Sequence, residues 1–522
     1  VRIPAVNRFT LFGLVVLALV ALFAVAALSK PVTLPAGQQS QPHSPSVAAV
    51  SVGARACPEP GAQGSHDTGV AVIAAAHPGS GHATVSRLSP ADTTPAAPLA
   101  SVSQPGTLSV SNVTAVPSPA PSGATTPSDA TTGTGKSGTS KSTAAAGDST
   151  PAAEPGGVMV QATGSMAQGL EAEQTGTGGT VTAGCASPAT DFWFAVPGQQ
   201  FTSVIQLYLM NTDSQAATVD VDVVTDTGPL QTGVDTGINV PAHGMVMQSL
   251  ATLVRGSRAI GLHVHASAGQ VVAAVSESSH AGQSGQWLPA AQAPADRLVI
   301  PAMPGSPGTR QLYVSDPGTA DAAVRLSVVA AGGSYEPTGA GAIDIPAGSA
   351  SMIELPSLTG ITGAAVLTSN TPVTASVVVP GGEPDGPGAM AVAALPLQEQ
   401  GVVADVGERG DDTSLVLSAP GAAAKVRMVT GSSGLTPGGS GAGSQLITIP
   451  KDRTITVKVP SPAAGNQAFA ILLTPLPGSG PVYVGRVLAD TSGTVLSVLP
   501  VASALTSVPL PSARGSLTAT TP

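Results

Sequence analysis

Two histidines one residue apart, His263 and His265 in "LHVHA", are the side chains of this sequence best spaced to hold a ligand together. On a β-strand, positions two apart share a face. The pair therefore offers two imidazole nitrogens to a metal ion, with Glu277 or His280 as candidate further ligands. The plainer reading is that both are ordinary strand residues. Aligning the internal repeats of the chain sets Ala365 and Leu367, then Ile471 and Leu473, at the same positions, so the strand does not itself require histidine. Without a convincing third and fourth ligand, the expectation is no metal and no cofactor.

Nucleophile chemistry finds no better footing. "GQSGQ" at 282–286 lacks the Gly-x-Ser-x-Gly spacing that exposes a serine on a sharp strand-to-helix turn. Asp213, Asp226, Asp316 and Asp321 fall at turn positions, where aspartate is favoured for its local hydrogen bonds to the backbone. "TTGTGKSG" at 131–138 imitates a phosphate-binding loop, but Ala130 stands where its first glycine belongs. Neither the strand nor the helix that would frame such a loop flanks it. No catalytic residue is assigned, and the chain is expected not to be an enzyme.

The chemically rich stretch is "AGCASPATDFWFAVPG", residues 183–198. In a chain only 2% aromatic it sets Phe192, Trp193 and Phe194 side by side. Three adjacent strand residues cannot all face inward, so these three, with Trp287, are the candidate ligand or interface residues. The same stretch carries Cys185, whose one possible partner is Cys57. A single bridge in an exported chain is the expectation. Closing so long a loop contributes roughly 4–5 kcal/mol in the chain-entropy picture. Cys185 then acts as a fastener, folding residues 47–104 back against the first of the repeats.

The elements that must position these residues recur along the chain. "SVIQLYLMNTDSQAATVDVDVV", "RQLYVSDPGTADAAVRLSVVA" and "TSLVLSAPGAAAKVRMVTG" each read as strand, turn, strand. Pro241, Pro346 and Pro450 recur in "INVPAHG", "IDIPAGS" and "ITIPKDR", and Pro289, Pro396 and Pro500 in "WLPAAQ", "ALPLQE" and "VLPVAS". Landmarks in one order three times over mark a repeat of about 104 residues. Six or seven short strands in about 100 residues fit a β-sandwich of immunoglobulin-like type. Val219, Val221 and Val223 alternate with Asp220 and Asp222, giving one apolar face and one acidic, solvated face. A three-bladed propeller is disfavoured, because three blades are too few and four strands per blade leave chain over.

The fold expected is thus all-β: a transmembrane helix followed by three tandem sandwiches. Residues 11–28, "LFGLVVLALVALFAVAAL", are uncharged and apolar, with Arg2 and Arg8 before them and Lys30 after. Extended to residue 9, the run just crosses a hydrocarbon core of about 30 Å, and the preceding positive charge puts the rest of the chain outside. A cleaved signal is the competing reading, for which the apolar run is long. The boundaries expected are an anchor at 1–30, a linker at 31–46 and a β segment tied to the first sandwich at 47–104. A disordered Ser/Thr/Pro/Ala/Gly-rich insertion follows at 105–156. The remainder of the N-terminal segment plus sandwich 1 spans 157–296, sandwich 2 spans 297–401, sandwich 3 spans 402–511, and 512–522 is a tail.

With 20 basic against 30 acidic residues and no basic block, a nucleic-acid partner is excluded. The partners expected are the membrane, through residues 9–28, and envelope glycans or other envelope proteins. Cys57-Pro58, "GLEAEQ" at 169–174, "CASPATDFWF" at 185–194 and the "LYLMN" strand resemble a domain-of-unknown-function family of actinobacterial secreted or membrane-anchored proteins. That resemblance implies an N-terminal membrane segment and an envelope location, and supplies no activity. The function expected is a non-enzymatic extracytoplasmic scaffold for interaction or surface organisation. The alternatives are a glycan- or peptidoglycan-binding module and an envelope enzyme or metalloprotein.

Overall fold

Valine, alanine and threonine in alternating runs, punctuated by glycine and proline, favour strands throughout, and a computed structural model of the chain contains no α-helix among its described residues. It describes residues 47–510 except 59–65, 74–78, 89–96, 114–155, 177–181, 199–202, 231–235, 252, 280–284, 380–387, 405–412, 433–434, 437–442, 460–468 and 490–494. The apolar run 11–28 and the phosphate-loop mimic 131–138 lie outside these residues. No helix of the described residues is long and apolar enough to cross a membrane.

A short pair joins β1 (Val47–Ala49) to β35 (Ser507–Pro509). Between them the chain builds four two-sheet units. The N-terminal unit comprises β2 (Val52–Pro58), β3 (His66–Val72), β4 (Gly81–Leu88), β5 (Ala100–Val102), β6 (Gly106–Val113), β7 (Gly157–Gly164), β8 (Glu171–Gly176) and β9 (Thr182–Gly184). The second unit has β10 (Asp191–Pro197), β11 (Ser203–Met210), β12 (Ala217–Thr225), β13 (Gly228–Leu230) and β14 (Ile238–Val240). It is completed by β15 (Met245–Ser249), β16 (Ala259–Ala268), β17 (Val272–Ser279) and β18 (Gly285–Leu288).

The third unit runs through β19 (Ala295–Met303), β20 (Arg310–Asp316), β21 (Ala322–Ala330), β22 (Gly333–Tyr335) and β23 (Ile343–Ile345). It continues through β24 (Ser349–Leu355), β25 (Gly363–Val379) and β26 (Ala389–Val392). The fourth has β27 (Gly401–Val403), β28 (Thr413–Ser418), β29 (Ala424–Gly431), β30 (Ser444–Ile449), β31 (Thr454–Lys458), β32 (Ala470–Pro475), β33 (Tyr483–Ala489) and β34 (Val495–Pro500).

All four units share one strand order. The sheets β2-β7-β4-β5, β10-β16-β12-β13 and β27-β32-β29-β30 correspond to each other, as do β6-β3-β8-β9, β15-β11-β17-β18 and β31-β28-β33-β34. In the third unit the long β25 serves both sheets: its first half pairs with β19 and β21, its second with β20 and β26. The N-terminal segment, expected as an annex of the first sandwich, is instead a further unit of the same topology. Residues 106–113, expected within the disordered insertion 105–156, instead form β6, because Leu108 and Val110 pack on the core of this unit; the rest of that stretch connects β6 to β7.

Alternation along each central strand sends side chains into two different cores. In β3, Val70 and Val72 join the interior of the N-terminal unit, whereas Ala71 and the next residue after the strand, Ile73, pack on Val402, Ala470 and Leu472 of the fourth. In β11, Ile205, Leu207 and Leu209 fill the second unit, whereas Tyr208 and Met210 meet Met159 and Leu88 of the N-terminal unit. Tyr313, Val378 and Met390 of the third unit complete the core of the second. Val416, Val487 and Val498 of the fourth complete that of the third.

The units therefore close into a ring of eight face-to-face sheets, within one compact body spanning Ala49–Val508. Close approach between units demands missing side chains. A Cβ on Gly261 would lie 2.0 Å from Ser315 Oγ, and one on Gly485 would lie 2.3 Å from the Ala302 Cβ.

Candidate functional site

The alternation that buries Phe192 and Phe194 in the core of the second unit turns Asp191 and Trp193 to the opposite face of β10. Antiparallel pairing with β16 then sets Asp191 beside His265 and Trp193 beside His263. On the other side of β16, β12 brings Asp222 beside His263 and Asp220 beside His265. The acidic outer face of β12, the two histidines and the outward aromatic thus meet on one patch of three neighbouring strands.

Its geometry converges on one carboxylate oxygen. His263 Nε2 and His265 Nδ1 each lie 3.0 Å from Asp191 Oδ1. His263 Nδ1, on the far side of its ring, faces Asp222 Oδ2 at 3.4 Å. Trp193 stacks on the His263 ring with centroids 3.8 Å apart and planes 6° from parallel. Thr190 Oγ1 donates to Asp191 Oδ2 at 2.7 Å. Hydrogen bonds from His263, Thr190 and His265 hold the Asp191 carboxyl at a pKa of about 2, so it is ionised at neutral pH. His263 is largely covered, its side chain 21% exposed, while His265 and Asp191 reach solvent at 46% and 45%. Asp191, His263 and His265 form a group whose ligating atoms all lie within 4.8 Å of one another.

The other candidates fall elsewhere. Trp287 is half-buried on the edge strand β18, where it meets Tyr208 edge-on at 5.3 Å and 64°. Glu277 lies in the other sheet of the unit, on β17, and accepts from Gln286 Nε2 at 2.8 Å. His280 lies outside the described residues. Cys57 and Cys185 are disulfide-bonded. They join β2 to the end of β9, and Ala56 and Ala186 exchange backbone hydrogen bonds of 3.0 Å beside them. The bridge therefore ties together the two sheets of the N-terminal unit, rather than that unit to the next.

The family model described as Family of unknown function (DUF5719) matches residues 134–460. The chain belongs to this family. The DUF5719 match holds the second and third units entire and enters the first and fourth, so the Asp191–His263–His265 patch lies inside it. No curated protein and no solved structure matches the chain.

The remaining units of this DUF5719 chain serve as internal comparisons. Opposite Arg325 and Ser327 of β21, the partners on β25 are Thr368 and Val366. Opposite Arg427 and Val429 of β29, those on β32 are Thr474 and Leu472. In the N-terminal unit Thr84 and Ser86 face Gln161 and Met159. These are the counterparts of His265 and His263. The residues aligned from sequence, Ala365 and Leu367, sit one place off and face the core. The residue missed, Asp191, was legible in one respect: the alternation Asp191-Phe192-Trp193-Phe194 puts it on the side away from the buried phenylalanines. Its pairing with β16 joins strands about 70 residues apart and left no mark in the sequence.

Proposed function

We propose that the protein is a non-enzymatic scaffold of the cell envelope, built from immunoglobulin-like sandwiches and held outside the membrane by residues 9–28. On this reading it offers a rigid surface to other envelope proteins. The observation that carries it is the closed ring. Packing consumes both faces of central strands such as β3 and β11, so the fold spends much of its apolar surface on its own rigidity and leaves recognition to rims and outward polar patches. The Cys57–Cys185 bridge accords with an oxidising compartment outside the cytoplasm.

A glycan platform is less well supported. Tyr313 and Tyr483 are buried, Trp287 is packed against Tyr208, and one face of Trp193 is taken by His263. The test is capture of the membrane-anchored chain from its own membranes after mild crosslinking, beside assays of the purified protein on envelope glycans. A stoichiometric envelope protein partner is expected. Hydrolase or transferase turnover of those glycans overturns the reading.

A further inference from the structure

We propose that Asp191, His263 and His265 form a binding site for a divalent transition ion of the zinc class, with Asp222 and Trp193 holding His263 in place. This goes beyond the scaffold reading and does not depend on it.

The donor set suits such an ion: two imidazole nitrogens and one carboxylate oxygen leave a fourth, solvent-facing position, as in open three-ligand zinc sites. Spacing agrees. Zinc–nitrogen and zinc–oxygen bonds of about 2.0–2.1 Å put tetrahedral ligand atoms about 3.3 Å apart. The two His–Asp191 separations are 3.0 Å, so a few tenths of an ångström of opening admits the ion between them. The two ring nitrogens sit within 4.8 Å of each other, close enough for side-chain rotation to bring them onto one ion.

Orientation of the imidazole also favours an ion. A metal-ligating histidine almost always gives its other ring nitrogen to a carboxylate or carbonyl, which fixes the tautomer and strengthens the ligand. Asp222 Oδ2 stands 3.4 Å from His263 Nδ1, within reach of that role after a small rotation, and Nε2 is the atom that faces Asp191. The Trp193 indole, stacked on the same imidazole, restricts ring rotation. Rigid strands present all five side chains, the arrangement that holds ligand geometry best. A third point comes from within the molecule: the other three units form the same sheet without any histidine at these positions. Folding does not account for the cluster.

The test is calorimetric titration of Zn²⁺ into the metal-stripped full chain, with Co²⁺ absorption and tryptophan fluorescence read alongside. One ion per chain is expected, with Co²⁺ bands of tetrahedral or five-coordinate type and quenching of Trp193 as Co²⁺ fills the site. His263→Gln, His265→Gln and Asp191→Asn should each weaken binding at least tenfold, and Asp222→Asn by about 10–100-fold. Trp193→Phe should abolish the quenching and weaken, without abolishing, one-to-one binding. These side chains are partly exposed, and unchanged circular dichroism and melting of the stripped variants would show that folding is intact. Absence of saturable one-to-one binding, or binding unmoved in the His263→Gln/His265→Gln double variant, overturns the proposal. Partner capture by the metal-stripped chain would sustain the scaffold reading even then.

Discussion

Arg310 carries a full positive charge into the interior of the third unit and finds main-chain carbonyls there. Its Nη1 donates to the carbonyls of Gly308 at 2.7 Å and Pro307 at 3.3 Å, and its Nη2 to those of Pro304 at 2.6 Å and Ser306 at 2.7 Å. The side chain is fully buried, and that burial pulls the guanidinium pKa down from its ordinary value. Guanidinium tolerates this where ammonium does not, because its planar fork of donors satisfies several acceptors at once. Removing it takes a donor from all four carbonyls, but Ser306 O keeps Gly360 N–H and Gly308 O keeps Thr359 Oγ1, so the main loss is at the buried Pro304 carbonyl, on the order of 1–3 kcal/mol. Arg310→Met should therefore destabilise the protein by about 1–3 kcal/mol, read as a lower denaturant midpoint at unchanged slope. Arg310→Lys should recover little of that loss, since one ammonium cannot span all four carbonyls. A midpoint unchanged in Arg310→Met would show that the loop 304–308 does not depend on it.

At the scale of elements, the contrast between the repeats that stand out in the sequence and the one that does not comes from a single connection. Between β15 and β16 the chain has 9 residues, between β24 and β25 it has 7, and between β31 and β32 it has 11. The corresponding link in the N-terminal unit, from β6 to β7, has 43. Short, similar links kept Pro241, Pro346 and Pro450 near a constant period, and the period made three units visible. The long link destroyed it for the N-terminal unit, although the Cys57–Cys185 pair already hinted that the two halves belong together. The same periodicity argument placed the histidines one residue out of register, and in a strand one residue exchanges the core face for the outer one. Strand existence was legible because alternation is local. Sheet order was not, because it joins strands such as β10 and β16 across a whole unit. If the long link is an insertion into a finished topology, replacing residues 118–150 with nothing but the flanking chain should leave the fold intact. The remaining link of about ten residues equals those of the other units, and loop entropy changes slowly with length. The expected outcome is a melting temperature within a few degrees of the parent chain and an intact disulfide; loss of cooperative unfolding would show that the segment belongs to the core.

The whole molecule depends on a contact that no repeat-by-repeat reading anticipates, the closure of its fourth unit on its N-terminal one. Tandem domains on a string would each keep their own surface charged, whereas here only 10% of residues are charged and alternate positions of central strands are apolar on both faces. That composition follows from the ring: with a neighbour on either side, a sheet has no solvated face to keep polar along much of its length. Closure is marked by Glu173 of β8 and Arg486 of β33, an ion pair between residues 313 apart in sequence. Both side chains are buried, and Gly169 N–H donates to Leu505 O at 2.9 Å across the same junction. Burying two charges costs several kcal/mol of hydration each, so the pair adds little net stability over apolar residues, but each partner needs the other. Arg486→Met alone should cost up to about 3–5 kcal/mol, because it removes the cation paired with the buried Glu173 carboxylate. Glu173→Leu combined with Arg486→Met should recover most of that loss, giving a coupling energy well outside additivity. Chemical denaturation of the two single variants and the double measures it. Additive losses would mean that the junction is wet and the ring open there; strong coupling would mean that the four units fold as one closed body.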